Sequence, residues 1–273
     1  MVTALDLQAA DKIAGTLSVK DALTMPGQSI RIEAKLVRNG LTGETGLGGE
    51  RLELVFEKKA VATAMTGGDG RAFFEYAPKM RGNYSVTVRL VSGPRVTAPE
   101  STATLAVWER RRPILLVEVA ALMEETNSPL VTVPVIPGLG RPGEPVPAPD
   151  AADELKRLTA FYYNVIYLAW PGKDASPVLS LTGDLRDWLR AQRFPTGFTM
   201  TVNPGQESFS AKLDELKTGG WTVLKAGIGR TRAFAEVLIE HRMEVVIVPE
   251  PTRGELPRKA KVAKDWKDVR KKL

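Results

Sequence analysis

Residues 112–125 read "RPILLVEVAALMEE", and the meaning of this run decides the fold of the C-terminal half of the chain. Ile114, Leu115, Leu116 and Val117 form an unbroken apolar stretch of strand length that ends on Glu118. Such a run marks a strand buried on both faces, as in a parallel sheet covered by helices. A carboxylate at the exit of that strand stands where the ligand sites of such sheets gather. Two residues on, however, the chain has Ala120 and no second acid. Glu118 therefore belongs either to working chemistry or to a frame from which the chemistry has gone.

The rest of the C-terminal half repeats the pattern. Apolar runs "YNVIYLAW", "WTVLKAGIG" and "MEVVIVPE" alternate with amphipathic ones, "AADELKRLTAFY", "TGDLRDWLRAQR", "SFSAKLDELKTG" and "TRAFAEVLIEH". In "TGDLRDWLRAQR", Leu185, Trp188 and Leu189 make a core stripe at helical spacing. Strands alternating with helices specify an α/β doubly wound domain over residues 111–250. Residues 137–150, "PGLGRPGEPVPAPD", are too rich in Pro and Gly for an element and read as an exposed loop after the first strand.

The N-terminal half has a different grammar. "SIRIEAKLV" puts Ile30, Ile32, Ala34 and Leu36 on one face, and "RLELVFE" does the same with Leu52, Leu54 and Phe56. "GNYSVTVRLV" and "TATLAVWE" continue the alternation, with turn signals such as "RNG", "GGDGR" and "PKMRG" between them. Residues 1–110 thus read as an all-β sandwich. The run "ATAMTGGDGRAFFEYAPKMRGNYSVTVRLV" resembles bacterial immunoglobulin-like modules, in which an Asp-Gly turn precedes an apolar strand and a "G-x-Y-x-V-x-V" strand follows. The resemblance implies an immunoglobulin-like sandwich of the kind used as a spacer or adhesion unit.

Composition narrows the chemistry. The chain has 273 residues with 43% hydrophobic and 26% charged side chains, as ordinary globular proteins do. It has no cysteine, so disulfides and thiolate chemistry are excluded, and its one histidine, His241, rules out a multi-histidine metal site. His241 reads as a solvated residue near a helix C-terminus. No run is apolar for the roughly 18–20 residues that span a bilayer. The N-terminus lacks a basic-then-apolar leader, so a cytoplasmic location is expected, or a periplasmic or surface one if a leader has been removed. Nine of the 38 basic residues and three of the 32 acidic ones fall within 251–273, leaving 29 of each elsewhere.

The series "YNVIYLAW…TGDLRDWLRAQRFPTG…SFSAKLDELK…WTVLKAGIGRTRAFAEVLIEHRMEVVIV" resembles the haloacid dehalogenase (HAD) superfamily, and within it the lipin-type phosphatidate phosphatase branch. That branch reads "NVIYLT-x-R", "TRxWLxxxxFPxGP", a lysine-bearing helix and a strand ending "GIGD". The likeness covers about 113–250. The family's chemistry needs an aspartate nucleophile, a second aspartate as acid and base, a Ser/Thr with a Lys to hold phosphoryl oxygens, and acids that bind Mg²⁺. By the resemblance the nucleophile position is Glu118 and the acid/base position Ala120, which carries no proton. The hydroxyl position is Ala169, and the lysine is Lys212, with Lys217 nearby. Arg230 and Phe234 stand where the metal-binding acids belong, and an arginine repels Mg²⁺. Losing the general acid alone forfeits ~10²–10⁴ in rate.

The expectation is a HAD-like Rossmannoid pseudoenzyme without metal or cofactor, acting as a binding or structural subunit of a larger assembly with a protein partner. Mg²⁺ enters only in the alternative, a weak phosphatase using Glu118; a further alternative is an envelope or adhesion-type protein. Glu118 is expected to form an ion pair with Arg230, and Lys212, Arg230 and Gly229 are candidates for holding an anion. The tail, 251–273, reads as a basic amphipathic helix with Val262, Trp266, Val269 and Leu273 on one stripe. That stripe docks on the α/β domain or a partner. Trp266, Lys264, Lys267, Arg270 and Lys271 are contact candidates, with an anionic membrane or a nucleic acid as other partners.

Overall fold

A computed structural model describes residues 12–40, 43–91, 93, 95–124, 145–170, 182–251 and 256–273. The chain divides into two compact units, Met1–Val107 and Trp108–Leu273.

The first unit contains strands and no helix among the described residues. They are β1 (Ile13–Ala14), β2 (Thr16–Val19), β3 (Ala22–Thr24), β4 (Ile30–Gly40), β5 (Gly43–Gly46), β6 (Arg51–Phe56), β7 (Lys59–Met65), β8 (Arg71–Tyr76), β9 (Gly82–Leu90), β10 (Val96–Thr97) and β11 (Ser101–Val107). One sheet runs β3-β11-β9-β6-β7; in the other β4 pairs with β2, β5 and β8. Ile32, Ala34, Leu36, Leu52 and Leu54 are buried as their alternation requires, together with Phe74, Val86, Val88 and Leu105. The first edge changes sheets. β2 lies antiparallel to β4, β3 lies parallel to β11, and Asp21 between them accepts the Thr104 N–H at 2.8 Å.

Two local devices fix this as an immunoglobulin-like sandwich. Tyr84, near the start of β9, donates its hydroxyl to the Arg81 carbonyl at 3.0 Å, the tyrosine corner of such folds. The "GGDGR" turn closes through Gly70, whose φ is +78° and whose absent Cβ would lie 2.1 Å from the Leu36 carbonyl oxygen. Both the backbone angle and the close approach exclude a side chain there.

The second unit is built on a parallel sheet. Its elements are β12 (Ile114–Glu118), a 3₁₀ turn (Val119–Leu122), α1 (Ala151–Phe161), β13 (Asn164–Ala169), α2 (Thr182–Ala191), β14 (Phe198–Thr201), α3 (Gln206–Thr218), β15 (Leu224–Gly229), α4 (Arg232–Glu240), β16 (Glu244–Ile247), β17 (Lys261–Val262) and α5 (Trp266–Lys272). The strands are ordered β14-β13-β12-β15-β16-β17 and every neighbouring pair is parallel. This is the doubly wound order, first strand central and direction of winding reversed between β12 and β15. All five residues of β12 are buried, which accounts for its unbroken apolar run. The two glycines of "GIG" have a packing reason. A Cβ on Gly227 would meet Leu238 at 2.1 Å and one on Gly229 would meet Phe234 at 2.2 Å, so they let α4 lie close against β15.

The tail departs from the expected amphipathic helix. Val262 lies in β17, where it pairs with Ile247, and the helix begins only at Trp266. Asp265, three residues past β17 and in extended conformation, caps α5 by accepting the Asp268 N–H at 2.9 Å. The segment is an integral edge of the sheet, with Ala263, Trp266 and Val269 buried in the same core as Leu115 and Val117. Of the expected 137–150 loop, residues 137–144 lie outside the described residues, and Pro147 forms an isolated bridge with Met123.

Candidate functional site

In a doubly wound sheet the crevice for ligands opens at the C-terminal ends of the strands where the winding reverses. Here that place lies between Glu118, the last residue of β12, and Arg230–Thr231, which follow β15. Glu118 is 2% exposed. One of its carboxyl oxygens accepts the Arg230 N–H at 2.7 Å and the Thr231 N–H at 3.0 Å; the other accepts the Thr231 hydroxyl at 2.6 Å. Thr231 is also the N-cap of α4, its hydroxyl accepting the Phe234 N–H at 3.2 Å. The helix N-terminus, with its free amide donors and positive dipole end, is where such folds hold an external anion. In this chain a carboxyl group of the chain itself occupies that position.

Burial pushes the Glu118 carboxyl above its ordinary value, and the bonds from Thr231 and from the Arg230 N–H oppose that shift without overcoming it. Arg230 meets Glu118 through its backbone N–H, whereas its guanidinium reaches the Met123 carbonyl. The expected pairing is present as a charge attraction, since the Arg230 charge also lowers the Glu118 value, and a backbone bond from Arg230 N–H is added to it.

The other positions supply little chemistry. Ala120 sits in the 3₁₀ turn and Ala169 ends β13, so neither brings a proton or a hydroxyl. Phe234 is fully buried against Phe209, with ring centroids 5.8 Å apart. Lys212 lies on α3 in an ion pair with Glu215 at 2.7 Å, and no hydrogen bond among the described residues joins it to Glu118 or Arg230. Gly229 serves packing, and Arg230 and Lys212 are engaged separately. Among the described residues no group of three or more His, Asp or Glu could hold a metal ion.

The segment beyond β12 is pinned from several sides. The Trp266 indole N–H donates to the Ala121 carbonyl at 3.1 Å, and the Trp188 N–H to the Pro145 carbonyl at 2.8 Å. Trp266, expected on a contact surface, is instead 2% exposed, since its indole needs both the core and a buried acceptor. Lys267 pairs with Asp150 at 3.0 Å and Arg270 lies 3.9 Å from Glu154, both reaching toward α1, while Lys264 and Lys271 remain exposed.

No family model matches the chain, and no curated protein matches it. Similar solved structures include fibronectin(III)-like modules of Clostridium thermocellum CbhA, at 8% identity over 33% of this chain and 94% of that one, TM-score 0.24. The PKD domain of human KIAA0319 is 14% identical over 39% of this chain and 91% of that one, TM-score 0.24. Domains 4 and 5 of the S-layer protein SbsC are 14% identical over 33% and 44%, TM-score 0.23. Likenesses this slight decide nothing alone; the strand order and Tyr84 carry the sandwich assignment. The resemblance to the HAD superfamily rests on the quoted residues.

Two features escaped the sequence reading. Thr231 was legible as a cap, since a Thr before "RAF" fits an N-cap, but its bond to Glu118 spans 113 residues. His241 is not solvated: its side chain is 8% exposed, with Ser210 Oγ 2.7 Å from Nε2 and Lys217 Nζ 2.7 Å from Nδ1. Lysine is a donor alone, so Nδ1 accepts and Nε2–H donates to Ser210. Burial first, and then the Lys217 charge, push this imidazole below its ordinary value. Among the described residues no helix is long and apolar enough to cross a membrane.

Proposed function

We propose that the chain is non-catalytic: an immunoglobulin-like sandwich joined to a HAD-like α/β unit that keeps the frame of a phosphatase without its chemistry, serving as a binding or structural subunit of a larger assembly. The observation that carries this reading is the fate of Glu118. A nucleophile must present a free oxygen to phosphorus with donors left over for the phosphoryl group. The Glu118 carboxyl is buried and accepts from Arg230 and Thr231, taking up the amides that a substrate would need. Ala120 supplies no acid and Ala169 no hydroxyl at the positions that the resemblance names for them.

The test is phosphate release from an aryl phosphate and from phosphatidate with Mg²⁺, for wild type, Glu118→Ala and Glu118→Gln. The expected result is background release from all three. Release by the wild type that both variants lose, while circular dichroism shows them folded, would overturn the reading and make the protein a phosphatase using Glu118.

A further inference from the structure

We propose that the N-terminal edge of the parallel sheet is a docking face for an anionic lipid surface. Because all six strands are parallel, the connections that enter them lie along one edge, about 24 Å long at the usual strand spacing. Phe161 and Tyr162, at the end of α1 just before β13, are 82% and 65% exposed. Arginines flank them on both sides in sheet order: Arg193 before β14, and Arg111 before β12. Arg242 and Lys259 follow before β16 and β17. The last turn of α5 returns to the same edge, where the Lys272 carbonyl accepts from Lys261 at 2.8 Å. Arg111, Arg193, Arg242 and Lys259 make no ion pair among the described residues, and Glu244 at this edge is already paired with Lys261 at 2.7 Å.

The backbone gives an independent reason to regard these charges as placed for use. Arg193 and Arg242 each stand at φ +59°, just past the ends of α2 and α4. Both sit in the same six-residue closing motif, with Phe194 N–H bonded to the Leu189 carbonyl and Met243 N–H to the Leu238 carbonyl, each at 2.9 Å. That left-handed position normally falls to Gly or Asn. After α3 it does fall to glycine, Gly220 at φ +89°, whose absent Cβ would meet the Arg110 guanidinium at 2.5 Å. Attraction between a basic side chain and the helix dipole explains a Lys or Arg in a last turn. It explains neither the strained position held twice nor the bare Phe161 beside it.

The chemistry favours a bilayer over a nucleic acid. The cations come from separate connections spread along an edge, whereas a single strand is held in a groove that tracks one backbone. Phe161 has no polar handle and suits the acyl boundary; Tyr162 suits the headgroup level, and the arginines suit lipid phosphates.

The inference is independent of whether the opposite end is catalytic. It is tested by co-sedimentation of the full chain with phosphatidylcholine vesicles, with and without phosphatidylserine. Binding is expected only with phosphatidylserine, falling as salt rises. Arg193→Gly/Arg242→Gly should weaken it by roughly fivefold per charge removed, with melting temperature unchanged or raised because glycine suits both positions. Phe161→Ser/Tyr162→Ser should weaken it without altering the salt dependence. Absence of binding to anionic vesicles at low salt would overturn the proposal, as would binding that neither pair of substitutions changes. So would a labelled single-stranded oligonucleotide that binds and is released by the same substitutions while vesicles are ignored.

Discussion

The two ends of the parallel sheet make opposite use of polar side chains. At the C-terminal end, Glu118, Thr231, Trp188 and Trp266 are turned inward and bonded to the chain itself. At the N-terminal end, Arg111, Arg193 and Arg242 stand exposed, with Phe161 and Tyr162 among them. The ligand sites of such sheets gather at the C-terminal ends of the strands. The difference teaches that a fold's customary site can become part of its core. On the proposal made above, recognition falls to a surface that the fold itself does not prescribe.

Stability measurements can break that comparison. Trp266→Ala removes a fully buried indole and leaves the Ala121 carbonyl without its donor, and should cost about 4 kcal/mol in denaturant unfolding. Phe161→Ser at the other end should stay within about 0.5 kcal/mol. Similar costs at the two ends would mean that both are core. Thr231→Ala comes next, because it removes the cap of α4 and one partner of Glu118 together; about 2 kcal/mol is expected by the same measurement.

The smallest effect concerns pH. The Glu118 carboxyl is raised in the fold, so the folded chain binds that proton more tightly than the unfolded chain does. Its contribution is fully present below the unfolded carboxylate value of about 4.3 and is lost as pH rises through the folded value. The stability of Glu118→Gln, which has no such proton, should therefore gain on that of the wild type as pH is raised from about 4 towards neutrality. A gap that is constant with pH would mean that folding leaves the Glu118 carboxyl at its unfolded value, and a gap that moves the other way would mean that the bonds from Thr231 and Arg230 outweigh burial.

Much of this architecture could be read from periodicity, and the reason is local. Alternation in "SIRIEAKLV" and the unbroken run in "PILLVE" each report the number of covered faces, which a strand's own residues determine. The tail misled because its spacing of apolar residues at Val262, Trp266 and Val269 satisfies a helix equally well. Only pairing with β16, a partner distant in sequence, holds Val262 in a strand. The site was half legible. That Ala120 and Ala169 carry neither acid nor hydroxyl is visible in the letters, whereas the capture of Glu118 by the start of α4 depends on a meeting across 113 residues. His241 was misjudged for the same reason, since Ser210 and Lys217 come from another helix.

The bond from Trp266 to Ala121 has a consequence in time. The two residues are 145 positions apart, and at synthesis rates of ~5–20 residues per second the donor follows its acceptor by roughly 7–30 s. Through that interval β12 and the turn after it are present without the indole that closes over them. A nascent chain in this state shows apolar surface to chaperones and proteases for longer than the sandwich does, whose closing bond from Thr104 to Asp21 spans 83 positions, or roughly 4–17 s at the same rates.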